Sequence, residues 1–283
     1  MSRWKGFLLG FCGTLAVIMP IYLLFAALGL RESNVAPADG AKLNVPMAKP
    51  VSQDAKTLLV ISGAENPDAF VLLRFDALTN KICAVALAGN TVLLREGQPV
   101  LLRDAAASAG PEQAAACIRE TLDITVDDYL QVDAALLAEI AAPLGSGEVR
   151  LANYLGEAAL GQLKLAVPGV ETLNLSPAKL LEVLQSGLVP EAQLPAIRAD
   201  GYLAFLRAGA SRLDTTLVTA MRKYVSRVST SISATDIYDY ERVLKFLVRQ
   251  EAEFKTGVLP GQNNNGRFEL SPQAPEVAKE YLA

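Results

Sequence analysis

Residues 56–94 read KTLLVISGAENPDAFVLLRFDALTNKICAVALAGNTVLL. Lys56–Ile61 is a short apolar run that stops at Ser62-Gly63, and it reads as a strand. Ala69–Phe75 is a second strand, and Ile82–Leu87 a third. Such runs of Val, Ile, Leu and Phe, bounded by turn residues, favour extended backbone over helix. Asp76–Lys81 (DALTNK) is a short polar turn, so the second and third strands form a hairpin. The run after it bends at Ala88-Gly89-Asn90, and no charge returns until Arg95. That bend is either the working loop of an enzyme or a turn between two buried strands.

Downstream, Pro111 sits at the first position of an expected helix, PEQAAACIRETL, because its ring pre-sets the helical φ and its missing N–H is not needed there. DDYLQVD (127–133) is a further strand, and AALLAEIAAPLG (134–145) a helix halted by Pro143 and Gly145. The second half is mostly helical. Ser176 caps a helix that ends near Gly187, 194–208 and 212–228 are amphipathic, and Ser233 with Asp236 forms a capping box. The helix after it carries Ile237, Tyr240, Leu244 and Leu247 on one face. A polar QNNNG turn and a terminal helix, PEVAKEYLA, follow. No internal repeat is present. Strands mixed with helices predict an α/β (α+β sandwich) fold, a central mixed β-sheet flanked by helices in one domain.

Composition bounds the chemistry. The chain has 283 residues, 51% of them hydrophobic and 20% charged, enough to bury a sizeable core. Its net charge of −4 gives no cationic face for nucleic acid. It has no histidine, which removes Ser-His-Asp and Cys-His catalysis and histidine-ligated metals. Its three cysteines are too few and too scattered for a zinc cluster or a disulfide scaffold.

Residues 7–30 (FLLGFCGTLAVIMPIYLLFAALGL) carry no charge, enough to cross a hydrocarbon core as a helix. Arg3 and Lys5 precede them, so the positive-inside tendency puts residues 1–6 in the cytoplasm and the rest outside. A cleaved signal peptide is the competing reading; its apolar core is shorter, and FAALGLRES offers no clear cleavage site. Cys12 follows bulky Phe11 and is a poor lipidation site. Residues 31–55 are an aperiodic linker rich in Pro, Gly, Asn and Ser. Residues 56–283 form the expected extracytoplasmic domain, on a single-pass protein of the cell membrane.

The order of these pieces resembles the LytR-CpsA-Psr (LCP) family of cell-envelope proteins over 56–261. The carriers of the resemblance are LLVISGAENPDAFVLLRFDALTNK, with Gly63 and Asp68 matching in place, LDITVDDYLQVD (122–133) and VSTSISATDIYDYERVLKFL (228–247). The resemblance implies a phosphotransferase that moves a glycopolymer from a polyprenyl-pyrophosphate carrier to peptidoglycan. Arginines would hold the pyrophosphate, aspartates would hold Mg²⁺ and an apolar pocket would take the lipid. The family's Ser-x-Pro-Arg-Asp-Thr motif falls on Ala86–Thr91, where Gly89 replaces arginine, Asn90 replaces aspartate and only Thr91 stays. The Gly-x-Asp aspartate is Glu65, and the loop before Asp68 lacks its arginine. The later Arg-x-Arg pair falls near Gln185 and Gly187; Arg198 matches a helix arginine, but Ala199 replaces the glutamine after it.

The expected site residues follow. Asp68 is the best catalytic or ligand-binding candidate, against its reading as a turn carboxylate after Pro67. Asn90 and Thr91 are ligands or turn residues. Arg74, Arg95, Arg103 and Arg198 form a displaced anion site or are solvated side chains. Asp68 and Glu65 would bind Mg²⁺ only in an enzyme; otherwise no cofactor is expected. Cys83 and Cys117 are expected to be buried free thiols, with a disulfide as the alternative. The apolar residues of AFVLLRF and AAPLG line a lipid pocket or plain core. Three functions compete: a non-catalytic envelope protein binding a partner or polyprenyl-type lipid, a divergent transferase, and a transcription regulator. The last is disfavoured by an acidic domain outside the cytoplasm.

Overall fold

The structure, a computed structural model, describes residues 50–63, 67–165 and 171–283. The expected membrane span at 7–30, the tail at 1–6, most of the linker at 31–55 and Glu65 lie outside the described residues. Among the described residues, no helix is long and apolar enough to cross a membrane.

The opening stretch forms the three strands expected of it: β1 (Ala55–Ser62), β2 (Ala69–Asp76) and β3 (Lys81–Ala88). They pair antiparallel in register, Ser62 opposite Ala69 and Asp76 opposite Lys81. The next strands, β4 (Thr91–Arg95) and β5 (Gln98–Leu101), form a hairpin turned at Glu96-Gly97, both with positive φ. Then come β6 (Asp128–Val132), β7 (Gly147–Val149), β8 (Leu173–Leu175), β9 (Ser229–Thr230), β10 (Glu253–Gly257), β11 (Gly261–Asn264) and β12 (Arg267–Leu270). The main sheet is six-stranded and mixed, in the order β10-β3-β2-β1-β6-β9. A four-stranded sheet, β11-β12-β4-β5, stands beside it, and β7 pairs β8.

The helices are α1 (Leu102–Leu122), α2 (Ala134–Ala141), α3 (Glu157–Gln162), α4 (Pro177–Gln185), α5 (Leu194–Ala208), α6 (Leu213–Tyr224), α7 (Ala234–Arg249) and α8 (Ala274–Leu282). Helical cover lies on both faces of the main sheet. Strand alternation sends Leu59, Ile61, Phe70, Leu72, Val85 and Leu87 against α1 and α8. The residues between them, Leu58, Val60, Val71, Leu73, Phe75 and Ala84, face α4–α7. Burial on both sides explains why these strands read as nearly continuous apolar runs. The fold is therefore the α/β sandwich expected, with a central mixed sheet flanked by helices.

The caps form as expected. Ser176 Oγ accepts from Lys179 N, and Ser233 and Asp236 make a reciprocal box. Ile237, Tyr240, Leu244 and Leu247 are buried. The expected helix forms: Gly110, at φ 82° and ψ 179°, is non-helical, and Pro111 opens the run to Leu122; a further helical run from Leu102, not expected from the sequence, precedes it in α1. Gly110 takes the left-handed φ that suits a residue without Cβ, and Pro111 sits at the first helical position after it. Cys83 and Cys117 are both buried and free, and burial pushes the Cys83 thiol up to about 11.

Helix α5 lies so close to β7 that a Cβ on Gly147 would stand 2.6 Å from the Ala204 carbonyl carbon. Backbone cannot yield as a side-chain tip can. Gly147→Ala should therefore lower stability by about 1–3 kcal/mol, the usual cost of overpacking, seen as a lower urea midpoint with an unchanged slope. An unchanged midpoint would show that α5 is free to shift.

Candidate functional site

Helices α2, α4, α5 and α6 stand off the main sheet and leave a cavity of about 370 Å³. Its floor is Leu58, Val60, Leu73, Phe75 and Leu130 of the sheet. Its walls include Leu137 and Ile140 of α2, Leu180 and Leu184 of α4, Phe205 and Leu206 of α5, and Leu217 and Met221 of α6. Sequence reasoning left AFVLLRF and AAPLG open between pocket and core. Leu73 and Phe75 of the first and Ala141 and Leu144 of the second line this cavity. Helix α2 is apolar yet has no fully buried residue, because one side of it borders the cavity and not packed protein.

Polar lining comes from Ser62 at the end of β1, Asp68 just before β2, Gln185 at the end of α4, Arg198 and Tyr202 on α5, and Tyr224 and Thr230. The β1–β2 connection is fixed by backbone: Gly63 N–H donates to Val132 O, and Asp68 N–H donates to Ser62 O at 3.2 Å. Gly63 takes φ 104°, which favours a residue without Cβ. From α5, Arg198 reaches this connection. Its Nη2 donates to Asp68 Oδ2 and its Nη1 to Asp68 O, both at 3.3 Å. The pair is asymmetric, since the Arg198 side chain is 10% exposed and that of Asp68 70%. Tyr202, one helical turn beyond Arg198, presents its ring on the same face. Burial is the main cause that pushes its phenol up to about 12; Arg198 lowers it and Asp68 raises it.

The other expected site residues are placed as follows. Gly89 packs on the backbone of Asp68: a Cβ there would lie 3.3 Å from Arg103 Cβ and 3.4 Å from Asp68 O. Arg103 N–H donates to Gly89 O, so Arg103 flanks the same loop, but its side chain is half exposed and faces Asp104 at 3.7 Å. Asn90 is buried, with Nδ2 donating to Gly266 O and its carbonyl accepting from Phe268 N–H. Thr91 is buried, and its hydroxyl donates to Ala88 O. The Ala-Gly-Asn-Thr bend thus spends its polar groups on joining the main sheet to the four-stranded one.

Arg74 is separated from the cavity. Leu73 and Phe75 on either side of it line the cavity, so Arg74 points to the opposite sheet face. There it donates to Thr57 Oγ1 at 2.9 Å while its Nε finds no partner among the described residues. Arg95 ends β4 at an exposed position. Sequence reasoning did not single out Tyr202 or Ser62. The signal for Tyr202 was its i+4 spacing from Arg198.

Among the described residues, no three acidic or cysteine side chains gather around a metal-sized site. Asp68 is the one described carboxylate lining the cavity. Mg²⁺ is usually held by one or two carboxylates plus substrate phosphates, so Asp68 would serve as a ligand only with phosphate oxygens beside it.

No family model and no curated protein matches the sequence. Solved structures do match the fold. A protein of Eubacterium siraeum DSM 15702, labelled a transcription regulator, superposes with a TM-score of 0.69 at 13% identity, over 87% of this chain and 97% of that one. The LytR-CPS2A-psr family protein YwtF (TagT), with bound octaprenyl pyrophosphate lipid, gives 0.60 at 16% identity, over 84% and 93%. Bacillus subtilis TagV gives 0.60 at 13%, over 83% and 97%. At these identities the likeness establishes the fold, which is that of the LytR-CpsA-Psr structures.

The raised phenol has a testable sign. A tyrosine whose folded pKa is about 12 against an ordinary 10.0 holds its proton more tightly when folded. The associated stability is complete below pH 10 and is lost as pH rises toward 12. In Tyr202→Phe, one late-ionising phenol should vanish from the alkaline absorbance titration, and the loss of stability between pH 10 and 12 should be less steep. Loss of a phenol that ionises near pH 10 instead would place Tyr202 in open solvent.

Proposed function

We propose that the chain is an envelope protein whose extracytoplasmic domain, tethered by residues 7–30, holds an isoprenoid-type lipid in the cavity without transferring its headgroup. The observation that carries this reading is an apolar cavity whose charged lining, among the described residues, is one Asp68–Arg198 pair. A volume of about 370 Å³ falls in the range of small-molecule sites. The octaprenyl pyrophosphate bound to YwtF supports a polyprenyl-type occupant for the shared fold.

Absence of transfer chemistry follows from electrostatics. Phosphoryl transfer is catalysed by positioning and by cations that neutralise developing charge. Here the lining supplies one guanidinium, and it is already hydrogen-bonded to a carboxylate. Seating a pyrophosphate there would desolvate charge without compensating partners. A second reading, a divergent phosphotransferase attaching glycopolymers to peptidoglycan, is favoured by one feature, the largely exposed Asp68 carboxylate at the cavity. It would require Asp68, with Glu65, to hold Mg²⁺, and arginines brought from elsewhere.

Full-length protein purified from its membrane in a short-chain detergent, extracted with organic solvent and analysed by mass spectrometry, should yield a stoichiometric apolar lipid. Ala138→Trp, which fills the cavity from the loosely packed α2, should lose it while keeping the thermal midpoint. Wild-type protein carrying no lipid would sink the binding reading. Mg²⁺-dependent turnover of a pyrophosphate-linked lipid, abolished by Asp68→Ala, would replace it with the transferase.

A further inference from the structure

We infer that the cavity selects lipids with an uncharged, hydrogen-bonding headgroup, of the isoprenoid-alcohol class, and that Asp68 is the residue that discriminates against phosphorylated forms. This inference rests on the lipid-binding reading above and names the chemistry of its occupant.

Charge balance in a partly desolvated place decides what the cavity accepts. One cation and one anion line the cavity among the described residues, Arg198 and Asp68, and they are in contact at 3.3 Å. Both terminal nitrogens of Arg198 are engaged, one on the Asp68 carboxylate and one on the Asp68 carbonyl. The guanidinium is nearly buried, so it cannot swing out to meet an anion in solvent. A phosphate brought to Arg198 therefore meets the Asp68 carboxylate at the same time, and like charges that close repel. A diphosphate meets the same carboxylate with more negative charge.

Among the described residues, no second cation lines the cavity; the nearest at its far end, Lys223, is held on the Tyr224 hydroxyl. Arg103, the next guanidinium along the Gly89 loop, does not line the cavity and faces Asp104. Elsewhere in the lining, the Tyr224 hydroxyl is committed, donating to Glu139 and accepting from Lys223, each at 2.7 Å. What remains for a headgroup is neutral: the Ser62 hydroxyl, the Gln185 amide and the Tyr202 hydroxyl. Tyr202 makes no hydrogen bond among the described residues and stays protonated up to high pH, so it can donate to and accept from an alcohol.

The test is a competition. Full-length protein is held in phosphatidylcholine nanodiscs and offered equal amounts of farnesol, farnesyl phosphate and farnesyl diphosphate. Retained ligand is counted by native mass spectrometry, with Ala138→Trp defining binding outside the cavity. Wild-type protein should retain farnesol at least about tenfold over farnesyl phosphate, and the diphosphate least. Asp68→Asn keeps the size of the side chain at a largely exposed position and removes the competing charge. It should raise farnesyl phosphate retention about tenfold, the scale of one charge-assisted hydrogen bond, while farnesol changes little.

Wild-type retention of either phosphate above farnesol would overturn the inference and leave the cavity reading standing. Farnesol preference that Asp68→Asn leaves untouched would overturn the role given to Asp68. Retention of none of the three by wild-type protein would overturn the lipid-binding reading itself.

Discussion

The antiparallel strands β1, β2 and β3 are buried on both faces, and the other elements are arranged to satisfy that demand. One face is covered by the alanine-rich α1 and by α8, whose small side chains let helix and sheet approach closely. Ala105, Ala114, Ala115, Ala274 and Ala278 are all at or near zero exposure there. The other face is covered by larger helices that do not close on it completely. Protein interiors normally fill to crystal-like density. A space of about 370 Å³ against Leu58, Val60, Leu73 and Phe75 is thus a large local departure, maintained by α2 and α4 bridging over it.

The Arg198–Asp68 contact ties α5 to the β1–β2 connection at this cavity. As an ion pair it adds little stability, because the carboxylate is largely in water, where attraction is screened. Its consequence is for recognition. A nearly buried guanidinium that spends two of its five N–H donors on one residue's carboxylate and carbonyl keeps that carboxylate beside it, and a ligand must either accept the pair's geometry or displace Asp68. Fold and function separate at this point: the fold leaves the cavity, and a handful of side chains decide what chemistry it can host.

Much of the fold was legible in the sequence because its signals are local. Turn residues bound β1, β2 and β3, Ser176 and Ser233 mark helix starts, and the Ile237-Tyr240-Leu244-Leu247 stripe marks the buried side of α7. The misses share a cause in tertiary context. Strand β10 (EFKTG) has little strand character of its own and exists by pairing in parallel with β3. The helical run of α1 ahead of Gly110 was missed because no side-chain cap marks its start. The site was legible in part. Asp68 and Arg198 stood out because the family resemblance marks their positions, and the structure brings them together. Asn90, Thr91 and Arg74 stood out equally, yet a backbone hydrogen bond or a position on the opposite face of the sheet gives them other surroundings. The cavity itself was invisible, since an apolar residue lining a void has the same periodicity as one packed in a core. Tyr202 went unnoticed because its ring matters only beside Arg198.

The central claim is that the cavity holds a lipid whose headgroup does not need a cationic clamp. The most direct measurement is an experimental structure of the full chain taken from its native membrane. The account predicts continuous elongated density between the main sheet and α2, α4, α5 and α6, ending in an uncharged group beside Tyr202 with the Arg198–Asp68 contact intact. Water in place of that density, or a pyrophosphate seated on Arg198 with Asp68 turned away, would contradict it.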